Sequence, residues 1–258
     1  MFVKPIKCGA LNGSLPTAPD KSITHRAVMF NSTAALSSFP KNGCLISNAL
    51  LGEDCLSTVE CMRALGAEIE VNEDKREIRI VKPVAPDIIK GKSFKLYAGN
   101  SGTTIRFLCG LLAGLGVYAE LTGDDSISKR PMERVAAPLR GMGADIRTTD
   151  GHTPVYVSPA RLTGRDITVK TPSAQVKSAL ILAALNAAGK TVIRETAVTR
   201  DHTELMLKSM GADLTVKPGQ DGSVITVKPS SLKAADAEVG GDISSAAFWL
   251  VFIIPTIR

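Results

Sequence analysis

Aromatic side chains are scarce in this sequence. Phe, Trp and Tyr together make 4% of the 258 residues, with a single Trp. So small a supply argues against the stacking platforms on which single-stranded nucleic acids are usually bound. Cysteine is sparser still: Cys8, Cys44, Cys55, Cys61 and Cys109 are odd in number and include no C-x-x-C pair. That pattern argues against a disulfide framework or a structural zinc site and leaves reduced thiols as the expectation. The three histidines show no H-x-x-x-H spacing, so no metal centre is expected. Long apolar runs are missing too. The most apolar stretch, Ala246 to Pro255, is about half the length needed to span a bilayer. The N-terminal MFVKPIKCGALNG lacks the apolar core of a signal peptide. A cytoplasmic protein with no membrane partner is expected.

What is present fits a packed globular chain. Hydrophobic residues make up 44% and charged residues 22%, ample for a core and ordinary for a folded domain. Lys and Arg number 31 against 25 acids, a net charge of +6, which favours anionic partners. With aromatics so few, a small anionic substrate fits better than nucleic acid.

The chain repeats itself. Arg63-Ala-Leu-Gly66-Ala-Glu-Ile, Arg140-Gly-Met-Gly143-Ala-Asp-Ile and Lys208-Ser-Met-Gly211-Ala-Asp-Leu align without gaps. In each, a base stands three residues before a glycine and an acid two after it. The spacing predicts a helix ending at its glycine, with a cation near the negative end of its dipole. A strand pair follows each, closing on Val81-Lys-Pro83, Val157-Ser-Pro159 and Val227-Lys-Pro229, where proline stops the ladder. A second helix precedes each of these. Ile23, Ala27, Phe30 and Ala34 form one apolar face at helical spacing; Ile105, Leu108, Leu112 and Leu115 form another; Val176, Leu180, Ala183 and Ala187 a third. With β-prone runs such as Lys190-Thr-Val-Ile-Arg194, the unit reads β-α-β-α-β-β. The expectation is a mixed α/β (α+β) fold in which three such units form one lobe over 15–236. A fourth copy opens at Gly241-Asp-Ile-Ser-Ser245, so 1–14 and 237–258 are expected to belong to a second, truncated lobe.

The three repeated helices open on Asp20-Lys-Ser-Ile-Thr-His-Arg26, Asn100-Ser-Gly-Thr-Thr-Ile-Arg106 and Pro172-Ser-Ala-Gln-Val-Lys177. Capping accounts for one polar residue per helix. These starts carry several, plus a cation each, and helix N-termini bind phosphate through free N–H groups and the dipole. Threefold packing would bring them to one rim as a polar, cationic cup. Gly102 allows close backbone approach. His25 reads as a structural hydrogen-bonding group, His152 as a turn residue, Trp249 and Cys109 as core.

The runs DKSITHRA, GNSGTTIR, SKRP, PSAQVKSA and GDISSAAF, in this order and spacing, resemble the 5-enolpyruvylshikimate-3-phosphate synthase family, PSAQ-type branch. The resemblance implies two lobes of three units each, with no cofactor and no metal. It implies transfer of the enolpyruvyl group of phosphoenolpyruvate to the 5-hydroxyl of shikimate 3-phosphate. Lys21 would lie between both substrates, as the residue most directly involved in catalysis. Ser22, Arg26, Ser173, Ala174, Gln175, Thr199 and Arg200 would hold shikimate 3-phosphate. Gly102, Arg130 and Gln175 would hold phosphoenolpyruvate. The family's main carboxylates belong to its second lobe, so this chain alone is expected to lack activity. Ala18-Pro19 stands in place of the usual Pro-Gly, Ala174 lacks a hydroxyl that many relatives carry, and His202 replaces a tyrosine. The sister transferase acting on a UDP-amino sugar is the alternative within the fold, and an RNA-end-processing module the alternative from another class.

Overall fold

The computed structural model describes residues 14–253; the N-terminal strand expected to join a second lobe lies outside them. In chain order, the first unit comprises α1 (Lys21–Ser32), a 3-10 turn at Leu36–Ser38, β1 (Cys44–Ser47), α2 (Glu53–Ala64), β2 (Glu68–Asn72) and β3 (Glu77–Lys82). After the short helix α3 (Pro86–Ile89), the second has β4 (Ser93–Tyr97), α4 (Gly102–Leu115), β5 (Tyr118–Thr122), α5 (Asp125–Ser128), α6 (Glu133–Gly141), β6 (Asp145–Thr149) and β7 (His152–Ser158). The third has β8 (Asp166–Val169), α7 (Ala174–Ala184), β9 (Thr191–Glu195), α8 (His202–Ser209), β10 (Leu214–Pro218) and β11 (Ser223–Val227). Then come β12 (Ala237–Glu238) and α9 (Ile243–Ile253).

Three sheets share one topology. Their orders are β12-β1-β3-β2, β4-β5-β7-β6 and β8-β9-β11-β10. Each begins with a parallel pair and continues antiparallel. The β-α-β-α-β-β unit is therefore continuous in the second and third copies. In the first, its opening strand comes from the far end: β12 pairs with β1, Ile46 opposite Ala237 and Ser47 opposite Glu238. The Asp236 carboxylate accepts from Leu45 N at 2.7 Å beside this pair. A division at residue 236 thus leaves outside the lobe a strand that its first sheet uses.

The repeated sequence block has a direct structural meaning. Gly66, Gly143 and Gly211 follow α2, α6 and α8 with φ of +100°, +95° and +87°, the left-handed region where a Cβ is penalised. The arginines three residues earlier do more than face a dipole. Arg63 donates to Ile69 O, and Arg140 to Ile146 O at 2.7 Å, tying each helix end to the strand that follows. The acid after the glycine meets the lysine of the Val-Lys-Pro closure across the strand pair, Glu68 to Lys82 at 3.3 Å and Asp213 to Lys228 at 3.1 Å. In the second copy Ser158 replaces that lysine and faces Asp145, so no ion pair forms at that position.

The helices divide into two kinds. Helices α2, α6 and α8 bury one side. Helices α1, α4 and α7 are buried nearly all round: Thr24–Ser32, Phe107–Ala113 and Val176–Ala184 are buried at every position. A single apolar face was expected for each of these, and the difference has a physical cause. They stand inside the lobe, enclosed by the sheets and the outer helices. Their apolar spacing marks only the part that would face inward in a two-layer fold.

Helices α4 and α7 approach backbone to backbone. A Cβ on Gly110 would lie 2.0 Å from Ala179 O, and one on Gly114 3.3 Å from Ala183 Cα. Because α1, α4 and α7 fill the interior, α9 finds no place there. Trp249, expected in the core, is 52% exposed, alongside Phe248 at 76%. Cys109 is buried as expected.

Gly110→Ala should destabilise the fold by about 2 kcal/mol, since the collision is with backbone and only a shift of one helix relieves it. Gly141→Ala, where a Cβ meets nothing within 4 Å, should be neutral or stabilising by up to about 1 kcal/mol. Urea midpoints at unchanged m-value measure both, and equal midpoints for the two variants would refute the close-packing argument.

Candidate anion-binding site at three converging helix starts

Each interior helix is capped by the residue before it. The Asp20 carboxylate accepts from Ile23 N at 2.8 Å, Ser101 Oγ from Thr104 N at 3.2 Å and Ser173 Oγ from Val176 N at 3.4 Å. These caps satisfy one of the free donors at each start. The remaining polar residues of the starts bind the helices to one another.

Three sets of hydrogen bonds triangulate the helix starts. Between α1 and α4, His25 Nδ1 lies 2.7 Å from Thr58 Oγ1, which lies 2.6 Å from Thr104 Oγ1. Between α4 and α7, Arg106 donates to Gln175 Oε1 at 2.9 Å, and Gln175 Nε2 donates to Thr103 Oγ1 at 3.0 Å. Between α7 and α1, Arg26 donates to Ser178 Oγ at 3.2 Å, and its Nε donates to Thr203 Oγ1 of α8 at 2.7 Å. The Arg26 guanidinium also lies 4.9 Å from the centroid of the Phe107 ring on α4, a cation–π contact inside the lobe. The three starts are thereby held at one rim.

Cations gather around that rim. Lys21 pairs with Asp54 in the first turn of α2 and is half exposed. Burial lowers Arg26 to about 10, opposed by Glu204 and Asp20, and Arg200 pushes it further down. Arg106 is held below its usual value by burial first and then by Arg130. Gly102 sits under the last two: a Cβ there would lie 2.7 Å from Arg106 Nη1 and 3.0 Å from Arg130 Nη1. Arg130 in turn donates to the Asn100 side chain. Mutually repelling cations beside helix N-termini whose caps satisfy only one donor each are suited to a multiply charged anion.

Among the residues expected here, Lys21, Ser22 and Arg26 lie on the first turns of α1, Gly102 opens α4, and Ser173, Ala174 and Gln175 open α7. Arg130 precedes α6, and Thr199 and Arg200 lie in the connection between β9 and α8. Ala174 supplies no hydroxyl, and as the first residue of α7 it presents its backbone N–H. Arg106, the last residue of the polar run Asn100–Arg106, stands outside the set of site residues expected from the sequence. Asp54 was missed, and no local pattern in α2 marks it. A cation within the first two turns of each interior helix was the available signal, and Lys177 shows its limit. That side chain is 1% exposed and pairs with Glu195 and Glu204, so it lies behind the rim rather than on it. Among the described residues no group of three or more His, Cys, Asp and Glu is placed to hold a metal. No helix among them is long and apolar enough to cross a membrane.

Fold and rim together define a repeat-built α/β lobe with clustered cations and helix N-termini gathered at one rim. The chain belongs to the EPSP synthase (3-phosphoshikimate 1-carboxyvinyltransferase) family, whose model matches residues 6–256. It is 46% identical over 254 residues to the 3-phosphoshikimate 1-carboxyvinyltransferase of Shouchella clausii (strain KSM-K16), covering 96% of this chain and 56% of that protein. Against the enzyme of the same name from Bacillus subtilis (strain 168) the identity is 43% over 251 residues, covering 96% and 56%. The EPSP synthase structure from Acinetobacter baumannii at 2.37 Å superposes with a TM-score of 0.81 at 39% identity, covering 93% of this chain and 52% of that one. The chain spans about half the length of the curated relatives it matches.

His25 offers a test of the triangulation. Burial, and then Lys21, lower it to about 3, and the ring is neutral at neutral pH. The folded pKa lies below the ordinary value of 6.5, so the unfolded chain binds a proton that the folded one refuses. Stability is therefore lost as pH falls from about 6.5 towards 3, by up to about 1.4 kcal/mol per pH unit from this residue. In His25→Gln the urea-derived stability should fall less steeply over that window; parallel curves for the two proteins would sink the assignment.

Proposed function

We propose that this chain forms the shikimate 3-phosphate half of an enolpyruvyl transferase site, with part of the phosphoenolpyruvate site beside it. The observation that carries the reading is the rim itself: three interior helix starts, tied together, with Lys21, Arg26, Arg106, Arg130 and Arg200 around them. Family membership and the names of the relatives support the same reading.

In this reading Ser22, Arg26 and Lys21 hold shikimate 3-phosphate from α1. Ser173, Ala174 and Gln175 hold it from the start of α7, and Thr199 and Arg200 from the connection before α8. Arg26 spends three N–H groups on Ser22 O, Ser178 and Thr203, leaving two of its five for a ligand. Gly102 and Arg130 bind phosphoenolpyruvate with Gln175, and the absent side chain at position 102 leaves room below the two guanidinium groups. The 5-hydroxyl of shikimate 3-phosphate attacks C2 of phosphoenolpyruvate while C3 takes a proton, and phosphate then leaves the tetrahedral adduct as C3 gives a proton back. Lys21 stabilises charge developing between the substrates.

The proton acceptor is another matter. Asp20 caps α1 and Asp54 pairs with Lys21, so both carboxylates beside Lys21 hold structural contacts, and this reading assigns neither of them as base. We propose that the 258 residues alone turn over negligibly, although they bind.

Titrating shikimate 3-phosphate into the folded chain by calorimetry should show saturable binding, weakened at least tenfold by Arg200→Ala. That factor is about 1.4 kcal/mol, modest for one charge-assisted contact. Absence of binding by a chain whose fold is shown by circular dichroism would refute the half-site.

A further inference from the structure

Lys177 is among the largest fully buried side chains of the lobe. Its ammonium lies 3.2 Å from Glu195 Oε2 and 2.7 Å from Glu204 Oε1, with 1%, 2% and 3% of the three side chains exposed. Burying one ammonium and two carboxylates is costly, and such groups contribute more to fixing a geometry than to net stability. The three come from different elements: α7, the last residue of β9, and α8.

Each partner reaches on to the rim. The other oxygen of Glu195 accepts the Thr199 hydroxyl proton, and Arg200 follows Thr199. Beside Glu204, Thr203 Oγ1 accepts from Arg26 Nε at 2.7 Å and lies 2.6 Å from Ser178 Oγ. Next to Lys177, Ser178 donates to Ala174 O at 2.7 Å. The connection 196–201 has no regular structure of its own. Its near end is pinned by Thr196 Oγ1 to Val169 O at 3.2 Å and by the close approach of Gly222 to Ala197. For its far end, the contact to Glu195 is the side-chain anchor.

We infer that Lys177, Glu195 and Glu204 form a positioning network that fixes the connection 196–201, and with it Arg200, against the starts of α7 and α1. Lys177 orients Glu195 from behind; Glu195 holds Thr199; Glu204, clamped by the same ammonium, keeps Thr203 and hence Arg26 in place. None of the three touches the ligand. The nature of that ligand rests on the reading above, whereas the positioning does not.

The test has a ligand-free arm and a ligand arm. Backbone amide order parameters for 198–201 should be near 0.85 in the unaltered chain and fall below about 0.6 in Glu195→Gln, with α4 and the β4–β7 sheet unchanged. Thr199→Val cuts the link while leaving all three buried charges in place, at the cost of one hydrogen bond to Glu195, and should do the same, so it decides the matter should Glu195→Gln fail to fold. Unchanged order at 198–201, or order lost equally throughout the chain, overturns the inference. In the ligand arm, Glu195→Gln should weaken shikimate 3-phosphate binding about tenfold, and adding Arg200→Ala should cost less than threefold more. Full additivity of the two substitutions overturns the inference as well. Local loss of order with no binding by any variant, the unaltered chain included, would sustain the positioning and refute the ligand.

Discussion

At Gly110 the backbone of α4 occupies the space where a side chain would strike the carbonyl of Ala179. That missing Cβ sets the separation of two interior helices, and much follows from it. With α4 and α7 in contact, Gln175 at the start of one reaches both Thr103 and Arg106 at the start of the other. The same closeness puts Phe107 under the Arg26 guanidinium, so α1 is drawn to the pair. The rim is a consequence of helix packing about two turns below it.

The cations of the repeated helices show how position in a fold decides what a charge does. Arg26 is buried against an aromatic ring and divides its donors between Ser22 O, Ser178 and Thr203. Arg106 lies half buried beside Gly102 and Arg130. Lys177 sits wholly inside, between two carboxylates. A planar guanidinium can divide its donors between neighbours and a ligand, whereas an ammonium is a compact point charge suited to a closed pocket. The side chain of the third copy therefore serves the site from behind.

The periodic parts of the structure were legible in the sequence. Gly66, Gly143 and Gly211 marked helix ends because a left-handed residue after a helix is a local demand that glycine meets. The β-α-β-α-β-β order followed from spacing, and the presence of one capping residue at each polar helix start from residue type. Non-local partnerships left no such trace. Asp54 beside Lys21, Thr58 beside His25, and Glu195 beside Thr199 are meetings between elements that only the tertiary packing creates. Trp249 failed for a related reason: an apolar helix face says that something should cover it, not that the interior has room. Burial on all sides of α1, α4 and α7 was likewise hidden, because serine, threonine and arginine at their starts look like solvent-facing positions until their partners are known.

The parallel pairing of β12 with β1 places Ala237 opposite Ile46, and beside it Asp20 N bonds to Gly240 O at 2.8 Å. Strand and partner are separated by 191 positions, as the neighbouring contact of Leu45 with Asp236 counts them. On a ribosome adding about 5–20 residues per second, β1 emerges roughly 10–40 s before its neighbour exists. For that interval the edge of the first sheet has a row of unpaired backbone groups, open to any passing strand. The second and third sheets have no such wait, since each contains its own opening strand. Vectorial synthesis thus makes the first unit, although earliest in the chain, the last to be closed.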